Sequence, residues 1–224
     1  MSRKDGVMIR TFLAILSFAL LGTGTAEARR LPPVDGCARA PGFAAFRAQL
    51  LRAVARQDVA FIRRMITDDI VNGPGSYPGR EGFEGWLGPS ALWYELENMF
   101  RLGCALDPDG RAWVPGLSLA ATDEERLVHA DGSRLALILG PRVEVRGAPL
   151  ETARVTGTLN WEVLPVTPHA SGYDDWWWVP LPNDRRGWLV GSGHIRFFGD
   201  YRAVFERRQG RWRMTVFSTG DTTN

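Results

Sequence analysis

Residues 143–190 read VEVRGAPLETARVTGTLNWEVLPVTPHASGYDDWWWVPLPNDRRGWLV, and the period of this stretch decides the fold. Positions 143–145, 154–158, 162–166, 177–181 and 187–190 are short β-branched or aromatic runs, separated by Gly, Pro, Asn and Asp. Further runs at Val128, 136–139 and 194–198 extend the pattern on both sides. Strands so short and so closely spaced, with no helical period between them, predict an antiparallel barrel of five or six strands rather than a parallel sheet. Its span is 134–196. Beyond it, the runs 201–207 and 212–217 flank a bend containing Gly210, which predicts a terminal hairpin within 199–218.

Toward the amino terminus the period changes from two to between three and four. Phe43, Phe46, Leu50 and Val54 mark the buried stripe of a helix ending near Gln57. Asp58 is placed to cap a second helix with Val59, Ile62 and Ile66 on its apolar face. Residues 81–87 predict a short helix that turns Phe83 and Trp86 or Leu87 inward. Ser90 is a suitable N-cap for another carrying Leu92, Leu96, Met99 and Phe100, which Gly103 stops. The fold class is therefore α+β: a helical region at 43–112, an antiparallel barrel and a C-terminal hairpin.

Before the helices, residues 29–42 contain Pro32, Pro33, Gly36, Pro41 and Gly42 and read as a leader without helix. Residues 1–28 carry Arg3, Lys4 and Arg10, an apolar run at 11–21 and small residues ending in Ala26-Glu27-Ala28. This is the three-part layout of a secretory signal peptide, with cleavage after Ala28 and a periplasmic or secreted destination. The apolar run is shorter than the roughly 20 residues that a membrane-spanning helix needs. A retained anchor is the alternative. Beyond Arg29, charged residues interrupt every apolar stretch.

Processing at that point leaves 24 basic and 23 acidic residues, all the cations arginine. Interspersed charge near neutrality argues against a nucleic-acid partner, which requires a concentrated basic surface. Two cysteines remain, Cys37 and Cys104, with no CxxC partner and no zinc-ligand spacing. In an oxidising compartment they are candidates for one disulfide, worth about 4 kcal/mol by loop entropy; two buried thiols or a reactive cysteine are the alternatives.

Val143-Glu144-Val145-Arg146-Gly147-Ala148-Pro149 resembles the opening strand and loop of bacterial SH3 domains. Val155-Thr156-Gly157-Thr158-Leu159 resembles their second strand, and Trp178-Val179-Pro180-Leu181 with Arg185-Arg186-Gly187-Trp188-Leu189-Val190 their closing hairpin. The likeness covers roughly 134–195. Trp161, the long segment 165–175 and Asn183-Asp184 in place of a glycine turn depart from it. Pro180, lacking an amide donor, is expected at a sheet edge. The resemblance implies a binding module for peptide or peptidoglycan-like material, without catalysis or cofactor. Residues 53–71 and the last hairpin are fainter in their likeness, and are similar to NTF2-like α+β cones, which would make the barrel an insertion between two halves of one module.

Tyr173, Trp176, Trp178 and Trp188 are the candidate ligand-binding residues. Along a strand Trp176 and Trp178 share one face and Trp177 takes the other. Exposed indoles stack on sugars or pack against peptides, whereas the competing reading has them covering a domain junction. His129, His169 and His194 are too scattered to suggest a metal site. Asp68 and Asp69 supply an acid or base only if they line a cone cavity, and otherwise solvate a helix end. Gly191-Ser192-Gly193 lacks the spacing of a nucleophile turn. The glycines at 73 and 75 miss every phosphate-loop spacing. The leading expectation is an exported non-enzymatic binding protein. The alternatives are an NTF2-like ligand-binding protein or enzyme, with its cavity between the helices and the last hairpin, and a structural interaction subunit.

Overall fold

The computed structural model describes residues 29–73, 77–88, 91–122, 129–169 and 175–219. Residues 1–28, which the sequence reads as a signal peptide, and Ser90, Val128 and Tyr173 lie outside the described residues. No helix among those described is long and apolar enough to cross a membrane. The fold is α+β, with five α-helices and twelve strands in two sheets among the described residues.

Helix α1 (Phe43–Ala55) begins after Gly42, whose left-handed backbone (φ 74°) suits glycine, and buries Phe43, Leu50, Ala53 and Val54. Asp58 caps α2 (Val59–Met65) as expected, its carboxylate accepting from the Phe61 N–H at 2.8 Å. Ile66 is not part of that helix. It opens strand β1 (Ile66–Asn72), because Ile66, Val71 and Asn72 pair in parallel with the end of the chain. The β-branched run Ile66-Thr67 has a partner there that no local pattern reveals. Helix α3 (Gly79–Glu84) continues into a 3₁₀ turn (Gly85–Leu87), with Phe83 and Leu87 buried. Helix α4 (Ala91–Arg101) follows, then β2 (Ala105–Leu106), β3 (Ala112–Val114) and α5 (Leu117–Ala120). The region 43–112 thus holds strands β1 and β2 beside its helices, and β3 begins at its end.

Seven strands come next: β4 (Arg134–Ile138), β5 (Val143–Arg146), β6 (Val155–Leu159), β7 (Val163–Pro168), β8 (Trp176–Leu181), β9 (Arg185–Val190) and β10 (Ile195–Phe197). The chain closes with β11 (Arg202–Arg208) and β12 (Arg211–Ser218). Gln209 and Gly210, with φ of 52° and 76°, form the tight bend between them. One sheet has the order β1-β12-β11-β3-β2 and the other β10-β4-β7-β8-β9-β5-β6. The last hairpin therefore completes the helical module, and the seven-stranded sheet is inserted between β3 and β11.

Helices and first sheet share one core that includes Phe43, Ile62, Phe83, Leu96, Phe205 and Phe217. Phe205 meets Phe43, Phe46 and Phe100 with ring centroids 5.5–6.0 Å apart, and Trp212 lies edge-on to Phe43 at 4.9 Å. Cys37 and Cys104 form the expected disulfide, Cα atoms 5.5 Å apart. Asp107, buried in the turn between β2 and β3, accepts from the Trp113 indole N–H at 3.0 Å and from the backbone N–H and guanidinium of Arg111 at 2.9 and 2.6 Å. Burial pushes this carboxyl up, but those donors outweigh burial and hold it below its ordinary value.

The inserted sheet is wound on itself rather than flat. In a flat sheet β4 and β5 would lie four strand spacings apart, about 19 Å at ~4.8 Å each. Only four residues connect them, with a turn at Gly140 (φ 144°). Ala136 and Ile138 of β4, Val145 of β5, Leu159 of β6, Val179 of β8 and Leu189 of β9 accordingly meet in one aliphatic core. Seven strands, rather than five or six, enclose it, with β10 and β6 at the two ends. Pro180 is not on an edge strand: β8 lies between β7 and β9. The proline falls beyond Trp177 and Trp178, where β8 pairs with β7, so its missing N–H interrupts no bond at those positions.

The two units are joined by Arg196 of β10, whose side chain is only 8 % exposed. Its guanidinium donates to Glu95 of α4 at 2.9 Å and to the Tyr201 carbonyl at 2.5 Å, and it lies 3.6 Å from Asp200.

Candidate functional site

Alternation along β8 sets the tryptophans apart. Trp177, Val179 and Leu181 turn inward, and Trp177 packs against Phe197 at 5.2 Å. A Cβ on Gly191 would collide with the Trp177 indole, so the Gly191-Ser192-Gly193 turn is where the sheet makes room for that ring. Asp175 anchors this turn: its carbonyl accepts from the Gly191 N–H at 2.7 Å and its carboxylate from the Ser192 N–H at 2.5 Å. The triplet is a structural turn.

Trp176 and Trp178 share the opposite face, as alternation predicts, and that face is the outer one. Cross-strand register places Trp178 directly opposite Trp188 and Trp176 opposite Val190. Trp188 in turn faces Arg146 of β5. A row of Thr167, Trp178, Trp188 and Arg146 thus crosses four strands on the outer face. Gly187 permits this arrangement, because a Cβ there would run into Val145 and come within 2.9 Å of the Arg146 carbonyl. The hairpin behind it turns through Asn183 and Asp184, both with φ near +60°, a conformation that these two residue types tolerate.

All three outward indoles are half-buried, and each has a different neighbourhood. The Arg186 guanidinium lies over Trp178 at 4.3 Å. His169 meets Trp188 edge-on at 5.0 Å. Trp176 borders an open cleft of about 760 Å³ together with Val143, Val190, Arg142, Glu151 and His194. Trp178 borders a second cleft of about 310 Å³ with Asp131, Pro180 and Arg185. There the Ser133 hydroxyl and N–H hold the Asp131 carboxyl below the usual carboxylate range.

The sequence located the tryptophans but not their polar surroundings. Arg142, Glu144 and Glu151 come from β5 and its flanking turns, and no spacing ties them to β8. His194, which sequence alone leaves as a strand-start residue, is exposed, lines the larger cleft and has Nδ1 3.2 Å from the Val190 carbonyl. Arg146 spans the site, bonded to Glu144 and the Ala153 carbonyl, both at 2.9 Å.

The other sequence candidates are not brought together. Asp68 and Asp69 lie on the open surface of β1, their side chains 90 % and 68 % exposed, and pair with Arg80 and Arg208. They line no cone cavity. Phe43, Phe205, Met214 and Phe217 fill the core between helices and hairpin, and the cleft of about 590 Å³ beside it, lined by Phe46, Phe61, Met65 and Trp212, includes neither aspartate. Among the described residues no group of His, Cys, Asp and Glu could hold a metal ion.

Comparison of the chain with protein-family models, with curated proteins and with solved structures finds no match.

Proposed function

We propose that this chain is an exported binding protein whose inserted sheet is an SH3-like module that takes extended peptide or peptidoglycan-like material across Trp176, Trp178 and Trp188. The observation that carries the reading is the outward Trp178–Trp188 pair, with Trp176 beside it, on a sheet whose aliphatic core is complete without these rings. Large aromatics left half-exposed between two clefts offer apolar area and stacking faces at little entropic cost. The polar groups around them, Arg142, Arg186, Glu151 and His194, bring both donors and acceptors to such a ligand. The packed core between the helices and the last hairpin counts against the alternative of an NTF2-like ligand-binding protein or enzyme with its cavity there.

The test is retention on purified cell wall. Trp176→Ala and Trp178→Ala should each weaken binding by about 30-fold, as expected of an aromatic hot spot worth about 2 kcal/mol, while the melting temperature stays near that of the parent. Equal retention of parent and variants would end the assignment.

A further inference from the structure

Between the two units lies a cavity of about 280 Å³, on a different face from the tryptophans, that neither unit makes alone. Leu31 and Val34 of the leader, Leu106 of β2, Leu117 of α5 and Leu137 of β4 all line it. Leu137 is the only contribution from the inserted sheet. It points away from the sheet's own core, since its neighbours Ala136 and Ile138 fill that core, yet it is only 1 % exposed.

The leader spans the cavity as a strap fixed at both ends. At one end the Leu31 N–H donates to the Trp161 carbonyl and the Val163 N–H donates to the Arg29 carbonyl, both at 2.8 Å. At the other, the Gly36 N–H donates to the Cys104 carbonyl at 2.7 Å and the Cys104 N–H to the Val34 carbonyl at 2.9 Å, beside the disulfide. Pro32 and Pro33 between these anchors have no N–H to satisfy.

Three glycines let the backbones converge here. A Cβ on Gly103 (φ 81°) would strike the Val34 backbone, one on Gly36 would lie 2.9 Å from the Cys104 carbonyl oxygen, and one on Gly116 would lie 3.0 Å from the Cys104 carbonyl carbon. The pocket is therefore framed by specific sequence choices and lies beside a covalent bond.

Its chemistry is one-sided. Arg39 is the only charged side chain in the lining. It is exposed and also borders the neighbouring open cleft, which places it at the mouth; Asp109, Arg111, Glu206 and Arg207 line that cleft but not this pocket. Among the described residues it has no ion-pair partner. An apolar pocket with a single cation at its mouth is complementary to an amphiphile with one anionic head. At roughly 30 Å³ per water-sized group the volume holds about nine such groups, which sets the length of the tail.

We propose that this cavity binds a short-chain aliphatic monocarboxylate, its chain among Leu31, Leu106, Leu117 and Leu137 and its carboxylate on Arg39. Calorimetric titration of the full mature chain, disulfide intact, with octanoate and with octanol tests this. Both should bind saturably at one site. Arg39→Gln should weaken octanoate by about fivefold, the upper range for an exposed ion pair, and leave octanol unchanged. Leu117→Trp, which fills the pocket from a half-exposed position on α5, should abolish binding of both. Octanoate that fails to bind, or binds equally to parent and Arg39→Gln, overturns the proposal. The Arg39 variant lies on the surface, so its result stands whether or not Leu117→Trp folds. Neither variant touches the tryptophan face, so failure here leaves the cell-wall reading intact.

Discussion

The helical module and the inserted sheet spend their aromatic residues in opposite ways. In the helical module most rings are inside: Phe43 packs against Phe205 and Phe83 against Phe217, all four buried, and the Trp212 indole N–H donates to the Pro41 carbonyl at 3.1 Å. The fully buried core of the sheet is aliphatic, made of Val145, Val166, Val179 and Leu189 with their neighbours, and three of its tryptophans stand outside. A wound sheet has too narrow an interior to hold several indoles, and small β-branched residues fill it instead. Apart from Tyr77 and Tyr94, which are exposed on the helical module, the rings of one unit are thus committed to packing, whereas in the other Trp177 and Phe197 pack and three indoles stay half-exposed.

The largest test of this contrast is Phe205→Ala. Removing a ring that touches Phe43, Phe46 and Phe100 should cost about 5 kcal/mol, the top of the range for a buried phenylalanine, whereas Leu189→Ala in the sheet should cost about 3 kcal/mol. Denaturant melts followed by hydrogen exchange would locate each loss. The contrast fails if Phe205→Ala opens the sheet as readily as the helices.

Next comes the disulfide. Cys37 and Cys104 are 67 positions apart and the described residues between them belong to the helical module, so Cys37→Ser with Cys104→Ser should lower that module's stability by about 4 kcal/mol. Exchange protection in β8 and β9 should be nearly unchanged. An equal fall in both units would mean that they unfold as one.

The smallest effect concerns acid. Asp107 is held below its ordinary value of 3.8 in the folded chain, so the stability it contributes is fully present above that value and is lost as pH falls through the lower folded-state value. Asp107→Asn should cost about 2 kcal/mol at neutral pH, the worth of charge-assisted bonds to Arg111 and Trp113. It should also flatten the decline below pH 3.8. A variant whose acid unfolding curve matches the parent's would remove Asp107 as the cause.

How much of this was legible depended on the range of the interaction. That Trp176 and Trp178 share one face and Trp177 takes the other follows from strand alternation, whereas which face is outward was decided by the sheet's winding. The left-handed turn at Asn183 and Asp184 follows from residue type, and the Asp58 cap from its place before an apolar period. Ile66 was misread because its position continues the spacing of Val59 and Ile62, and its true partner, Met214, lies far along the chain. The polar rim of the tryptophan face was invisible for the same reason: Arg142, Glu151 and His194 reach it from turns that only the winding of the sheet brings together.

The sequence by itself determined the α+β class, the terminal hairpin, the cysteine pair and the series of short strands, because each is written in local period, turn chemistry or the presence of just two cysteines. Tertiary structure decided that the hairpin completes the helical module across an inserted sheet, that β1 is a strand, and that a strap and three glycines frame a cavity beside the disulfide, between the units. Those features depend on contacts between residues tens of positions apart, and such contacts leave no periodic trace in the chain.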